Sequence, residues 1–245
     1  MSQTDLTNGR VSTALARLTA PMMMGVSSSI LVQVLEMGFI GQLSTAHVAA
    51  ITFTFPLTMV LTSIALGISI GTSSVIARSV GQQSRSKSYT DDVQRLGTHS
   101  LVLVTVAMSL LAALCWFSLD VLFIALGASP EMLPLIHSYL DIYLPGSIFF
   151  TASMILGSIM RANGSATTPG VVMTVGSLIH LLLDPIFIFG WFGMPAMELT
   201  GAATAMTVTR FGTLIVIMIF VWKRQMILRG DHFRAFFEST RRILH

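Results

Sequence analysis

Inside the apolar stretches of this sequence, the side chains best suited to chemistry are Glu36, His180 and Asp184. A charged group at a bilayer centre costs about 2.5–3.5 kcal/mol on insertion scales, so one that persists there faces a cavity or a partner. His180 and Asp184 are spaced i,i+4, which puts both on one face of a helix. Pro185 follows directly. It cannot donate a backbone hydrogen bond, so it frees the carbonyl of Leu181 and favours a bend there. A carboxylate, an imidazole and a freed carbonyl gathered in one place suit a proton relay or a small-cation site. Burial disfavours the charged form of a carboxyl group, which lets such a group load and release a proton near neutral pH. The bland alternative places Glu36 and Asp184 at the outer interface, where water simply hydrates them.

Other residues compete for attention. Gly67-Ile68-Ser69-Ile70-Gly71 matches the G-x-S-x-G nucleophile elbow, but the elbow needs a strand–turn–helix context. A Ser69–His180 pair would be required for an intramembrane serine protease. Close helix packing through small residues explains the motif more simply. Asp141 is expected near the outer surface. Arg210 is expected to snorkel or to pair with an unidentified group. The 16 methionines read as adaptable apolar filler, with promiscuous substrate contact as the second reading. Cys115 is the one cysteine, so neither an internal disulfide nor a Cys-based metal site is available.

The elements that must hold these residues are set by composition. The chain has 245 residues, of which 10% are charged and 53% apolar, with a mean hydropathy of +0.78. Soluble domains carry about 25% charged residues. An ordinary soluble enzyme and a disordered chain are therefore excluded, and a membrane protein is implied. A bilayer span needs about 20 apolar residues. Residues 18–35 contain no Asp, Glu, Lys or Arg, and neither do residues 37–77. The second stretch is too long for one span and opens on the turn signal at residues 41–45. The expected spans are roughly 16–41, 46–78, 96–126, 132–160, 169–189 and 201–222, with a loop at roughly 190–200. Residues 1–225 then form one six-helix lobe, and 226–245 form a basic cytoplasmic tail or the start of a linker. The tail interleaves Phe233, Phe236 and Phe237 with arginines, so it reads either as a surface-bound helix or as a solvated end.

Basic residues support this count. Arg10, Arg17, Arg78, Arg85, Lys87, Arg95, Arg161 and the cluster from Lys223 to Arg242 all fall on one side of a six-span chain. Only Arg210, of the 14 Lys and Arg, falls within a span. The positive-inside rule places both termini in the cytoplasm, with the chain as a multi-pass protein of the inner (plasma) membrane. The first span reads as a retained anchor, since no short apolar core with a small-residue cleavage site stands out. The basic residues form no stripe with interleaved aromatics, so no nucleic-acid partner is expected.

In chain order the residues resemble a known family. Leu35-Glu36-Met37-Gly38-Phe39-Ile40-Gly41-Gln42-Leu43 leads into Val48-Ala49-Ala50. Gly67 to Gly71 follows, then Ile76-Ala77-Arg78-Ser79-Val80-Gly81, and Met160-Arg161-Ala162-Asn163-Gly164. Leu183-Asp184-Pro185-Ile186-Phe187-Ile188-Phe189-Gly190 precedes Gly201-Ala202-Ala203. This order is similar to the multidrug and toxic compound extrusion (MATE) family, and the similarity runs over roughly residues 10–225. It implies an all-α membrane protein, a six-transmembrane-helix bundle that is one lobe of a MATE-like transporter rather than an enzyme. The activity it implies is cation-coupled antiport of small organic, often cationic, compounds such as drugs. The resemblance puts the coupling cation at Glu36 and Asp184, with His180 modulating. Glu36 stands where most relatives have Asp, His180 where many have Asn, and Met206 where Thr is frequent. A longer acid and a titratable imidazole lean toward protons, with sodium at Asp184 as the second choice. No cofactor is implied. The partners implied are the bilayer, the organic substrate and a second six-helix lobe, either a C-terminal half or a second copy. A flippase for a lipid-linked substrate is the alternative within the wider group.

Overall fold

The computed structural model describes residues 11–82, 89–224 and 226–227. The tail with Phe233, Phe236 and Phe237, and the basic residues Arg10, Arg85, Lys87 and Arg229 to Arg242, lie outside the described residues. The helices are α1 (Val11–Gly41), α2 (Thr45–Gln82), α3 (Tyr89–Ala125), α4 (Leu133–Ala162), α5 (Thr167–Phe189) and α6 (Glu198–Lys223). A short 3-10 turn, Trp191–Gly193, links α5 to α6. Among the described residues there are no strands, and all six helices are long and apolar enough to cross a membrane.

The expected spans match the apolar parts of these helices, but several helices run further. α3 begins at Tyr89 rather than near 96, and α6 at Glu198 rather than near 201. Hydropathy marks only the segment that tolerates lipid, whereas the backbone hydrogen-bond ladder continues into polar ends. The stops are more sharply encoded. Gly127 and Gly164 adopt left-handed φ of 91° and 78°. Each lets the following N–H reach back five residues, Ala128 to Phe123 and Ser165 to Met160, at 2.9 Å in both. This closes the helix end in the Schellman manner. α5 continues through Pro185 as one helix up to the left-handed Gly190.

The helices are not equivalent. In α4, 67% of the apolar span is buried, against 17–28% in the others. α4 is the hub, packed against α2, α3 and α6, while α5 joins α1 to α6. Ile136, Leu140, Leu144, Ile155, Leu156 and Ile159 of α4 are fully enclosed. The remaining helices keep a large apolar outer surface, including Met23, Met24 and Met59. In water such a surface would be an aggregation liability; in a bilayer it meets lipid or another protein surface.

Candidate functional site

The site is built on the parallel pairing of α1 with α5. Gly170 lies against the Pro21 backbone so closely that an added Cβ would sit 2.7 Å from the carbonyl carbon. Two turns further along, the Ser29 and Ser177 hydroxyls are 2.9 Å apart. Seven residues beyond each serine come Glu36 and Asp184. Because seven residues are close to two turns of an α-helix, the register that pairs the serines also pairs the carboxylates. His180 sits one turn below Asp184, with Nε2 3.2 Å from Asp184 Oδ1.

The three groups form one cluster. A ligand atom from each of Glu36, His180 and Asp184 lies within 4.8 Å of the others. The residues are 5%, 9% and 0% exposed, so they are enclosed by protein and not hydrated at a rim. Glu36 Oε1, His180 Nε2 and both Asp184 oxygens make no hydrogen bond. The His180–Asp184 contact has ion-pair distance without hydrogen-bond alignment. Buried polar atoms are almost always satisfied, so four without a hydrogen bond at one spot make this cluster the candidate site.

α4 and α6 close the site. Tyr139 and Tyr143 of α4 stack with ring centroids 5.5 Å apart, and both are buried. Arg210 of α6, expected only to snorkel or pair, lies over the rings of Tyr143 and Phe150 at 4.8 and 4.9 Å. It lies within Coulombic range of Glu36 and His180. Its NH1 has no hydrogen-bond partner. Cation–π contact lowers the cost of holding a guanidinium away from water. The local field is therefore two carboxylates and an imidazole, faced by one delocalised cation.

The other candidates separate from this cluster. The Ser69 hydroxyl meets the Ser158 hydroxyl and the Met154 carbonyl, not His180. Ser158 in turn accepts a hydrogen bond from Arg161. Ser69 is thus a helix-packing group between α2 and α4, and the serine protease reading is set aside. Close packing at the flanking glycines is also corrected: nothing lies within 4 Å of where a Cβ on Gly67 or Gly71 would be. Cys115 is half-buried against the core.

Asp141 belongs to a different cluster. His137 Nε2 is 2.8 Å from Asp120 Oδ1 and its Nδ1 is 3.3 Å from Asp141 Oδ1. Trp116 Nε1–H donates to Asp141 at 2.8 Å. This group ties α3 to α4 and is partly exposed. His47 similarly bridges Ser44 and Glu198, joining the α1–α2 turn to the start of α6. Sequence reasoning missed both ties. The i,i+4 spacing of His137 and Asp141 was a usable signal, identical to that of His180 and Asp184.

Comparison with known proteins follows the same outline. Residues 21–186 match the MatE family model. The chain is 31% identical over 239 residues to the FAD transporter of Shewanella oneidensis, covering 94% of this chain and 51% of that protein. It is 27% identical to the multidrug export protein MepA of Staphylococcus aureus, covering 88% of this chain and 46% of that one. A point mutant of the MATE transporter VcmN of Vibrio cholerae superposes with a TM-score of 0.83 at 30% identity, over 92% of this chain and 50% of that chain. The chain spans about half the length of the relatives it matches.

Proposed function

This chain belongs to the MatE family, and from that premise we propose that it is one six-helix lobe of a cation-coupled antiporter exporting small organic compounds. The observation that carries the reading is the enclosed Glu36–His180–Asp184 cluster, four of whose polar atoms lack hydrogen-bond partners. Transporters built from repeats hold substrate and coupling ion at the repeat interface and alternate access by rocking one half against the other. A second six-helix lobe, either a C-terminal half or another copy, supplies the opposing wall. Both termini of this lobe face the cytoplasm, in the orientation that the basic loops favour.

Protons are the preferred coupling ion over sodium. Sodium favours oxygen ligands, and one of the three groups here is an imidazole. In the proposed cycle, protonation from outside neutralises Glu36 and Asp184, and their hold on Arg210 and on a cationic cargo loosens. Deprotonation toward the inside restores it. The multidrug exporters among the relatives support organic cations as cargo. The FAD transporter supports a second cargo class, an anionic dinucleotide with planar ring systems, for which Arg210 is the complementary charge. The lipid-linked flippase reading has less support: the mainly acidic charges around the cluster weigh against it as they do against FAD, and FAD has a named relative behind it.

The test is gradient-driven efflux from cells or everted vesicles, with ethidium and FAD as alternative cargoes. Asp184→Asn is expected to reduce efflux of the true cargo to the vector-control level while the protein stays in the membrane at normal abundance. Full efflux in that variant refutes the site assignment.

A further inference from the structure

We infer that Glu36, His180 and Asp184 form a binding site for a divalent transition-metal cation of the zinc class. The inference rests on the cluster already proposed to carry the coupling cation, but it concerns a different ligand. The ligand set is two carboxylates and one imidazole, from α1 and α5, with atoms within 4.8 Å of one another. Zinc binds His nitrogen at about 2.0–2.1 Å and carboxylate oxygen at about 2.0–2.2 Å, so tetrahedral ligand edges are about 3.3–3.5 Å. The 3.2 Å between His180 Nε2 and Asp184 Oδ1 is close to such an edge. Bringing the Glu36 oxygen to the same distance requires only a side-chain movement of about 1 Å or a little more.

Three further observations select this class. First, the donor atoms have few competing partners: apart from the 3.2 Å contact of His180 Nε2 with Asp184 Oδ1, Glu36 Oε1, His180 Nε2 and both Asp184 oxygens make no hydrogen bond, although the Glu36 and Asp184 residues are more than nine-tenths buried and the His180 side chain nearly so. Second, imidazole suits zinc, cobalt, nickel and copper, whereas magnesium and calcium prefer all-oxygen sets. Third, the two carboxylates supply the negative charge that a divalent ion requires, although Arg210, held over the faces of Tyr143 and Phe150, offsets part of it. Three protein ligands leave a coordination position open to water or cargo. A bound metal displaces protons from the same groups, so it competes with proton coupling and arrests efflux.

The experiment is a cobalt(II) titration of the intact, metal-stripped protein in detergent, read by ligand-field absorption and followed by displacement with zinc. The expected result is one equivalent of cobalt bound and displaced by zinc. In His180→Asn the Kd should rise by at least about tenfold, since loss of even an outer-shell partner costs 10–100-fold. Asp184→Asn should lose the band. His137→Ala, at the separate outer cluster, should bind as the unaltered protein does. X-ray absorption at the zinc edge needs no variant and should show one imidazole among oxygen ligands. No stoichiometric cobalt binding, an unchanged Kd in His180→Asn, or a zinc shell with no imidazole or with two overturns the proposal. Efflux that Asp184→Asn abolishes, without cobalt binding in the unaltered protein, removes the metal site and keeps the coupling role. Cobalt binding with efflux intact in Asp184→Asn does the reverse.

Discussion

At the residue scale, His180 decides what the carboxylates can do. An amide in its place would offer a neutral oxygen and no titratable proton. His180→Asn is therefore expected to shift the protein from proton dependence toward sodium dependence. Efflux measured at fixed pH with and without sodium checks this; equal sodium independence in both forms counts against His180 as the selecting group. His137, in the separate cluster between α3 and α4, provides the contrast. His137 is half-exposed and its ion pairs with Asp120 and Asp141 meet water. Such surface pairs contribute about 0–1 kcal/mol. His137→Ala should lower thermal stability in detergent only slightly and leave efflux unchanged. A large loss of efflux would move the functional centre outward.

At the element scale, the α1–α5 register does the positioning. Gly170 against Pro21, Ser29 against Ser177 and Glu36 beside Asp184 are successive steps of one parallel pairing. Gly170→Val would force the helices apart at the first step. Overpacking of this kind costs about 1–3 kcal/mol. The expected outcome is a lower melting temperature together with weaker efflux, because the carboxylates at the far end lose their spacing. The change would be read by thermal unfolding in detergent beside a transport assay of the same preparation. Unaltered efflux with a lowered melting temperature would show that the pairing stabilises the lobe without tuning the site.

At the scale of the whole molecule, the lobe is built around α4 and open on its outer surfaces. α1 and α2 expose Leu31, Val34, Phe55, Val60 and Ile70. Gly38 and Gly67 have open space where a side chain would lie. In the proposed two-lobe arrangement lipid would cover part of this surface and the second lobe the rest. An immunoblot of native membranes against the first described helix is expected to show a band about twice the 26.5 kDa of this chain, or a half-size species that cross-links to a dimer. A half-size protein that never cross-links and still transports would refute the two-lobe reading.

The number of helices is legible in the residues alone, because bilayer thickness imposes a span length and charged residues are excluded from it. So are the helix stops at Gly127 and Gly190, where backbone conformation depends on a residue's own chemistry, whereas the end of α4 before Gly164 falls two residues beyond the expected span. The shared face of His180 and Asp184 is equally legible, since that relation is local to one helix. That Glu36 joins them does not follow from spacing: the family resemblance implies it, and the α1–α5 pairing brings these residues, far apart in the chain, into one cluster. The role of α4 as hub emerges only in three dimensions. Apolar composition is nearly the same in every membrane helix, so composition does not distinguish a helix packed against protein from one packed against lipid. The partners of Arg210 were hidden for the same reason: Tyr143 and Phe150 read as ordinary apolar residues until α4 and α6 are set side by side.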